Sequence, residues 1–337
     1  MIFPDFPELT QLQALLLEWE GNARIEVVEQ IDFQSLSFPI HCISIGSTEP
    51  DVPVIAFFGG VHGLEKIGTE ILLAYLQTLL ELIRWDGEWQ ARLQRMRLIF
   101  MPIVNPVGVF CGTRCNGNGV DLMRNAPIDG FGKTKLYSGH RISPILPWFR
   151  GNSLEMELEA QALCRIVREQ LAQSSLLIVV DLHSGFGLQD RLWFPYAGSH
   201  QPFPAIAEAH ALKQLFDRSY PNHFYTIEPM SQEYVINGDL WDYLFDDTRQ
   251  QGHSGLFMPL TLEMGSWSWL RKSPMHVFLR HGLFHPLLPH RQQRILRRHL
   301  TLFDFLTRAA LYPQTWGHLT NEQREHHREL ALRTWYA

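Results

Sequence analysis

The sequence predicts an α/β fold in which helices cover both faces of a largely parallel sheet. Two observations lead to this prediction: short, continuous apolar runs recur along the chain, and segments with apolar residues at helical spacing separate them. A continuous apolar run is typical of a strand that is covered on both faces. With 337 residues, 45% of them hydrophobic and 19% charged, the chain can bury a large core.

The predicted elements alternate along the chain. Helices are predicted over residues 8 to 19, 65 to 83 and 154 to 173, and the tail from about residue 270 has a largely helical pattern. The predicted strands are ARIEVVEQI, PIHCISIG, VPVIAFFGG, RLIFMPIV, LLIVVDLH and the short apolar segment that leads into LEMGS. The segment 126 to 152, rich in Gly, Pro and aromatic residues, is expected to border a functional site as a lid or pocket wall.

Charge and composition argue against nucleic-acid and membrane partners. The net charge of −6 at pH 7 comes from acids and bases mixed along the chain, without a basic face. No apolar run is long enough to span a membrane. Pro4 and Pro7 interrupt an amino terminus without a basic region, so we expect no secretory signal. The cysteines lack zinc-ribbon or dense disulfide spacing, which favours a reducing cytoplasm; they are Cys42, Cys111, Cys115 and Cys164.

The first candidate metal ligands lie in GGVHGLEKIG, directly after a predicted buried strand. His62 and Glu65 are three residues apart, about one helical turn, and imidazole and carboxylate are ligands that zinc prefers. The same spacing recurs at His326 and Glu329 in EHHREL, where we interpret it as a solvated helical surface. For the first copy, the alternative interpretation is a structural His–Glu pair.

His183 is the candidate third ligand, at the end of the apolar strand in VVDLHSG. Two imidazoles and one carboxylate would leave a fourth position open to water, as hydrolytic zinc requires. The alternative is a histidine that only caps its strand. Because functional groups of α/β folds gather at the carboxyl ends of strands, a site shared with the first motif is the favoured interpretation.

Glu263 in LTLEMGS follows another short apolar strand. A carboxylate that faces a water activated by zinc is the usual proton acceptor in hydrolysis. An isolated glutamate at a strand end would be interpreted as an exposed polar terminus. Its place in a set of strand-end residues favours the role of general base.

The segment NPVGVFCGTRCNGNGVDLMRN carries two candidate arginines. Arg114 and Arg124 offer planar guanidinium groups that match a carboxylate or a developing oxyanion. Asp121, between them, is a candidate for holding a ligand histidine in place. As isolated residues, the arginines would be interpreted as surface residues.

Taken in order, these motifs resemble the M14 family of zinc carboxypeptidases. The resemblance runs from about residue 25 to about residue 270 and includes EYVINGDLWDYLFDD before LTLEMG. It implies a mixed, mostly parallel eight-stranded sheet between helices, and one zinc ion per chain. We predict a catalytic domain over residues 1–270 and a helical carboxyl-terminal extension, residues 271–337, packed on the same domain.

The resemblance also implies the roles of single residues. His62, Glu65 and His183 match the zinc ligands of the family. Glu263 matches its catalytic glutamate, and Arg114 resembles the arginine that polarises the scissile carbonyl and stabilises the oxyanion. These matches imply hydrolysis of a peptide or amide bond by a water that zinc and Glu263 activate.

Further matches concern the substrate. Arg124 resembles the arginine that binds the terminal carboxylate, and Asp121 matches the acid that orients a ligand histidine. Ser184 lies where the family often binds substrate backbone, and Tyr234 lies where the family has a mobile tyrosine. Met123 stands where the family usually has asparagine, so one of two hydrogen-bond donors to a terminal carboxylate is missing.

The implied function is that of a metallocarboxypeptidase, and two alternatives stay open. One is an N-acyl amino acid deacylase of the aspartoacylase and succinylglutamate desuccinylase type, and the other is a non-catalytic protein that binds a carboxylate ligand. The helical pattern of HRQQRILRRHLTLFDFLTRAAL favours the peptidase, because the deacylases usually carry a β-rich carboxyl-terminal domain. The expected partner is therefore a peptide or an N-acyl amino acid substrate.

Overall fold

One sheet of eight strands organises the part of the chain that the computed structural model describes, which is residues 6–131, 135–152, 154–267, 284–286 and 289–337. Across the sheet the strands lie in an order that differs from their order in the chain. In chain order they are β1 (Arg24–Phe33), β2 (Leu36–Gly46), β3 (Val54–Phe58), β4 (Arg97–Met101), β5 (Leu176–Ser184), β6 (Arg191–Phe194), β7 (Thr226–Pro229) and β8 (Leu256–Met264).

The sheet is mixed, with the spatial order β1-β2-β4-β3-β5-β8-β6-β7. β3 is parallel to β4 and β5, β5 is parallel to β8, and β6 is parallel to β7. The pairs β1-β2, β2-β4 and β8-β6 are antiparallel. The predicted mixed, mostly parallel sheet of eight strands is confirmed. The sequence did not predict β6 or β7, because each strand has only four residues and so shows no recognisable pattern.

Helices cover the sheet, and β3, β4 and β5 are buried along their whole length, as their apolar sequences predict. None of the described helices is both long and apolar enough to cross a membrane. The helices are α1 (Pro7–Glu18), α2 (Lys66–Trp85), α3 (Gly87–Leu93), α4 (Pro106–Cys111), α5 (Leu158–Ala172), α6 (Ile206–Ser219), α7 (Leu240–Gln250), α8 (Pro289–Arg298), α9 (Leu300–Leu311) and α10 (Asn321–Trp335).

The predicted helices correspond to observed ones where the structure describes them. α1, α2 and α5 match the three helices predicted before the last strand. α8, α9 and α10 account for the described part of the predicted helical tail, whereas residues 268–283 and 287–288 lie outside the described residues.

An aromatic cluster around Phe57 of β3 forms the centre of the core. Phe57 stacks on Phe100 of β4 with ring centroids 5.1 Å apart. Phe303 of α9 packs against Phe57 at 5.0 Å, and Tyr75 of α2 lies 5.0 Å from Phe303. All four side chains are buried. α9 thus contributes to the central core, and the division at residue 270 stays a prediction.

The parallel strands β3, β5 and β8 end at the same edge of the sheet. In the register, Phe58 at the end of β3 pairs with Asp181, and His183 pairs with Glu263. The chain turns after β3 at Gly60, whose φ is +64°, and a Cβ there would lie 2.7 Å from the Thr69 hydroxyl. This turn lets the segment after β3 run beside the ends of β5 and β8.

We expect Phe303→Ala to lower the free energy of unfolding by about 3–5 kcal/mol, because it removes a buried ring from the core. Chemical denaturation of the full-length protein, followed by circular dichroism, measures the change. Tyr312→Ala, directly after α9, is the matched control: that ring is 56% exposed, and its removal should cost about 0.5 kcal/mol or less. Equal effects of the two substitutions would contradict the placement of α9 in the core.

Candidate active site

Three buried side chains converge at the carboxyl ends of the strands: His62 after β3, Glu65 directly before α2, and His183 in β5. Nδ1 of His62 lies 3.0 Å from Oε1 of Glu65 and 3.2 Å from Nδ1 of His183. Nδ1 of His183 lies 3.2 Å from Oε2 of Glu65. Among the described residues, this trio is the one group of three or more side chains placed to hold a metal ion together.

Each imidazole of the trio is held at its other nitrogen by a buried carboxylate. Nε2 of His62 lies 3.0 Å from Oδ1 of Asp121, and Nε2 of His183 lies 2.8 Å from Oδ2 of Asp181. A carboxylate accepts the proton of Nε2–H, so in a neutral imidazole this arrangement leaves the lone pair on Nδ1. Two Nδ1 lone pairs and a carboxylate thus meet at one place, and this is a donor set that zinc prefers.

Asp121 is the centre of a charge network beside the trio. Its Oδ2 accepts hydrogen bonds from Nε of Arg114 and Nη1 of Arg124, both at 2.9 Å. Although burial opposes the charged form, the two guanidinium groups hold the pKa of Asp121 well below its ordinary value. Asp121 is therefore a carboxylate at neutral pH and lies against a candidate ligand histidine, where the sequence places it.

Glu263 faces the trio from β8. It pairs with His183 in the sheet, is 7% exposed, and its Oε1 accepts a hydrogen bond from the Phe186 N–H at 2.9 Å. Burial, helped by the Glu65 carboxylate, raises the pKa of Glu263 to about 8. At this pKa the group is mostly protonated at pH 7, and a cation held by the trio would lower the pKa and favour the carboxylate that a general base requires.

The two candidate arginines line one cavity with the trio. In addition to its bond with Asp121, Arg114 donates from Nη1 to Oε1 of Glu65 at 3.2 Å, and its side chain is 23% exposed. Arg124 is buried and donates from Nε to the Tyr137 carbonyl at 3.2 Å. Because Arg124 lines the cavity, its guanidinium group is placed where a bound anion could engage it.

Tyr234 belongs to an aromatic wall of the cavity. Its ring centroid lies 5.6 Å from that of Phe186, 6.1 Å from that of Trp193 and 6.4 Å from that of Tyr137. Burial raises the pKa of the Tyr234 hydroxyl to about 12, although Arg124 opposes the shift. The hydroxyl is therefore neutral at pH 7 and can donate a hydrogen bond.

Ser184, the residue after the last candidate ligand, is engaged within the chain. Its N–H donates to Oε2 of Glu65 at 2.9 Å, and its hydroxyl donates to the carbonyl of Phe284 at 2.7 Å. The sequence predicts a contact with substrate backbone at this position. In the structure the hydroxyl has a partner in its own chain.

The cavity that contains the trio has a volume of about 710 Å³ and mostly apolar walls, which suits a small substrate. Tyr137, Pro147 and Trp148 line it, so the segment 126 to 152 borders the site as expected. Residues 132–134 of that segment lie outside the described residues. Met123 also lies in the cavity wall.

Sequence reasoning missed two acids of the site, Asp181 and Asp239. Asp181 lies two residues before His183 in β5 and thus on the same strand face, and this spacing is a signal that could have identified it. Asp239 is 2% exposed and lines the cavity, with Oδ1 bound by the N–H groups of Trp241 and Asp242 at the start of α7. Burial raises its pKa to about 6. Its sequence context is that of an ordinary helix N-cap, so no local signal distinguishes it.

Comparison with known sequences identifies relatives of this chain. A model of the zinc carboxypeptidase family (Peptidase_M14) matches residues 37–272. Carboxypeptidase SOL1 of Arabidopsis thaliana is 24% identical over 247 residues, which are 71% of this chain and 45% of that protein. The catalytic chain of carboxypeptidase N of Rattus norvegicus is 28% identical over 185 residues, 47% of this chain and 39% of that protein. This chain thus spans less than half the length of these curated relatives.

Solved structures with a similar fold include thrombin activatable fibrinolysis inhibitor, with a TM-score of 0.67 at 15% identity over 93% of this chain and 74% of that chain. The carboxypeptidase A from Helicoverpa armigera has a TM-score of 0.65 at 19% identity, over 89% of this chain and 71% of that chain. At these identities the likeness shows the fold alone.

We expect Asp181→Asn to weaken zinc binding by about 10- to 100-fold, because an amide no longer supports the His183 imidazole as a carboxylate does. Competition with a chromogenic chelator measures the affinity. Asp246→Asn is the matched control, since Asp246 also accepts a side-chain hydrogen bond, from the Tyr196 hydroxyl at 2.7 Å, but does not contact the trio. Unchanged zinc affinity of Asp181→Asn would refute this role of Asp181.

Proposed function

Because the chain belongs to the zinc carboxypeptidase family, whose members are zinc-dependent, peptidase-like hydrolases, we propose that it cleaves a peptide or amide bond next to a carboxyl-terminal residue. One observation carries the proposal. His62, Glu65 and His183 converge at the sheet edge where Glu263 pairs with His183. This combination supplies both a metal-binding trio and a buried proton acceptor beside it.

The donor set of the trio fits zinc. Nδ1 of His62, the Glu65 carboxylate and Nδ1 of His183 would hold the ion, while Asp121 and Asp181 keep both imidazoles in the required tautomer. When bound, zinc supplies Lewis-acid chemistry that activates water and polarises a carbonyl oxygen. Three protein ligands are typical of catalytic zinc, whereas structural zinc usually has four.

Glu263 is the proposed general base. Its carboxylate takes a proton from the attacking water and returns it to the leaving nitrogen, so that it acts first as a base and then as an acid. The Phe186 N–H fixes one carboxylate oxygen, and burial keeps the group out of bulk water. Both features hold the carboxylate in one orientation beside His183.

The arginines are proposed to act on the substrate. Arg114 would stabilise the oxyanion, because its guanidinium group lies beside Glu65 and borders the cavity. Arg124 would bind the substrate carboxylate, with Tyr234 as a further donor. Since both arginines are bound to Asp121, they are oriented before the substrate arrives, which lowers the entropic cost of binding.

Deacylation of an N-acyl amino acid is the second candidate function, and the Ser184 hydroxyl favours it. This hydroxyl would bind the backbone of a peptide, but it already donates to the Phe284 carbonyl. Met123 in the cavity wall, moreover, offers no hydrogen-bond donor to a carboxylate. A small N-acyl amino acid needs fewer backbone contacts than a peptide does.

A panel of substrates distinguishes these functions. The zinc-loaded protein is assayed with peptides, with the same peptides as carboxyl-terminal amides, and with N-acetyl amino acids. Cleavage of peptides that depends on a free terminal carboxylate supports the carboxypeptidase, and cleavage of N-acyl amino acids alone supports the deacylase. Binding without hydrolysis would contradict both and support a non-catalytic binding protein.

We expect Glu263→Gln to lower kcat by about 10²- to 10⁴-fold, because the amide cannot accept a proton. Its zinc content should stay at that of the unsubstituted protein, since Glu263 is not part of the trio. Atomic emission spectroscopy measures the zinc. His62→Ala is the reciprocal variant and should lose zinc and activity together. Full activity of Glu263→Gln, or full zinc content of His62→Ala, would refute the corresponding assignment.

A further inference from the structure

A short stretch between β8 and α8, residues 284–286, lies against the candidate active site. It lies beyond residue 272, where the match to the family ends. The carbonyl of Phe284 accepts the hydrogen bond of the Ser184 hydroxyl at 2.7 Å, and Phe284 lines the cavity. The chain's own backbone therefore takes a contact that a substrate backbone would otherwise use beside His183.

Gly185 makes room for the Phe284 ring. A Cβ at position 185 would lie 2.6 and 2.7 Å from two carbons of that ring, so a larger residue would displace it. The backbone of Gly185 also has a φ of +127°, which residues with a side chain rarely adopt. The same Cβ position is 3.9 Å from Oε1 of Glu65. The ring thus lies close to the proposed zinc ligands.

Contacts from several elements hold this stretch in place. Nε2 of His285 lies 3.6 Å from Oε1 of Glu70 in α2, and the side chain of Gln292 in α8 donates to Oε2 of the same glutamate. Trp267 donates from its indole nitrogen to the Gly185 carbonyl at 2.9 Å. Gly185, whose backbone lies against the Phe284 ring, and His285, which follows Phe284, are therefore both held by side-chain contacts.

The hydrogen bonds indicate which side of the cavity Phe284 closes. Arg124, the proposed partner of the substrate carboxylate, is connected through Asp121 to one ligand histidine. Ser184 is connected to the other side of the trio, at Oε2 of Glu65. A substrate whose carboxylate lies at Arg124 and whose scissile carbonyl lies at the trio would extend its acyl portion toward Ser184 and Phe284, which line the same cavity.

We propose that Phe284 ends the cleft on the acyl side, so that the substrates are dipeptides and N-acyl amino acids with short acyl portions. This inference rests on the proposed hydrolytic function. Each further residue of an extended chain needs about 3.3–3.6 Å of space and partners for its backbone groups. The Phe284 ring occupies that space, and the Phe284 carbonyl already accepts the hydrogen bond of the Ser184 hydroxyl.

The reaction on such a substrate is an ordinary hydrolysis. The amide C–N bond breaks, and water supplies a hydroxyl group to the acyl carbon. The second proton of that water passes through Glu263 to the released amine. No further reactant is needed, so acyl length can be varied without changing the chemistry.

A series of substrates that differ only in acyl length tests the proposal. All members share the carboxyl-terminal residue that the substrate panel identifies, and the acyl portion is acetyl alone or acetyl followed by one to four glycines. For the zinc-loaded, full-length protein we expect kcat/KM to fall by about tenfold or more from the shortest to the longest member. A kcat/KM that stays the same along the series would overturn the proposal.

Substitution of Phe284 tests its part in this preference. Phe284→Ala should raise the kcat/KM ratio of the longest to the shortest substrate by about tenfold, and Phe284→Leu, which keeps an apolar side chain, should raise it less. Phe224→Ala is the matched control, because Phe224 packs on Tyr225 and Arg298 and does not line the cavity. An unchanged ratio in both Phe284 variants, or an equal rise at every length, would overturn the proposal.

A binding measurement separates failure of this proposal from failure of the proposed function. If no member of the series is hydrolysed, the hydrolytic function is refuted, and the length limit is then tested by calorimetry on zinc-loaded Glu263→Gln. Affinity that falls with acyl length, and recovers when Phe284→Ala is added, supports the limit. Affinity that is independent of length overturns it.

Discussion

The site depends on a constraint that buried charge imposes: a carboxylate is tolerated in the interior only where cations or hydrogen bonds compensate it. Asp121 meets this constraint with two guanidinium groups and His62. Asp181 meets it at Oδ2, which is bound by His183 and by the indole N–H of Trp241 at 3.0 Å, whereas its Oδ1 has no hydrogen-bond partner among the described residues. The compensating imidazoles and guanidinium groups are themselves the proposed functional groups. The same hydrogen bonds therefore make the carboxylates acceptable and fix the direction in which the ligands and arginines point.

Local sequence patterns predicted the residues of the site that lie at strand ends. The apolar runs before GGVH, DLHSG and LEMG predicted β3, β5 and β8, and parallel strands bring their carboxyl ends to one sheet edge. His62, His183 and Glu263 could therefore be placed together from sequence. The second copy of the spacing, His326 and Glu329, is exposed in α10, as its charged context predicted.

The remaining parts of the site depend on contacts between distant segments, which no local pattern encodes. The hydrogen bond from Ser184 to Phe284 joins residues 100 positions apart, so sequence could place Ser184 beside the last ligand without giving its partner. Asp239 could not be identified for a different reason. Its role as a helix N-cap is sufficient to account for the residue, and nothing in the sequence indicates that it also lines the cavity. β6 and β7 were not predicted because each has only four residues, although β6 pairs with β8 and β7 forms the edge of the sheet.

The carboxyl-terminal part of the chain connects stability with the shape of the cavity. α9 places Phe303 in the central core, and the stretch before α8 places Phe284 beside the trio. That stretch is fixed to Glu70 in α2, the helix that begins directly after Glu65. Glu70 comes five residues after Glu65, which corresponds to about 7.5 Å along the helix. Phe284 and His285 in an extended chain would span a similar length of about 7 Å. Because α2 begins directly after the proposed zinc ligand Glu65 and carries Glu70, which holds the residue after Phe284, the position of Phe284 relative to the trio depends on the geometry of this helix.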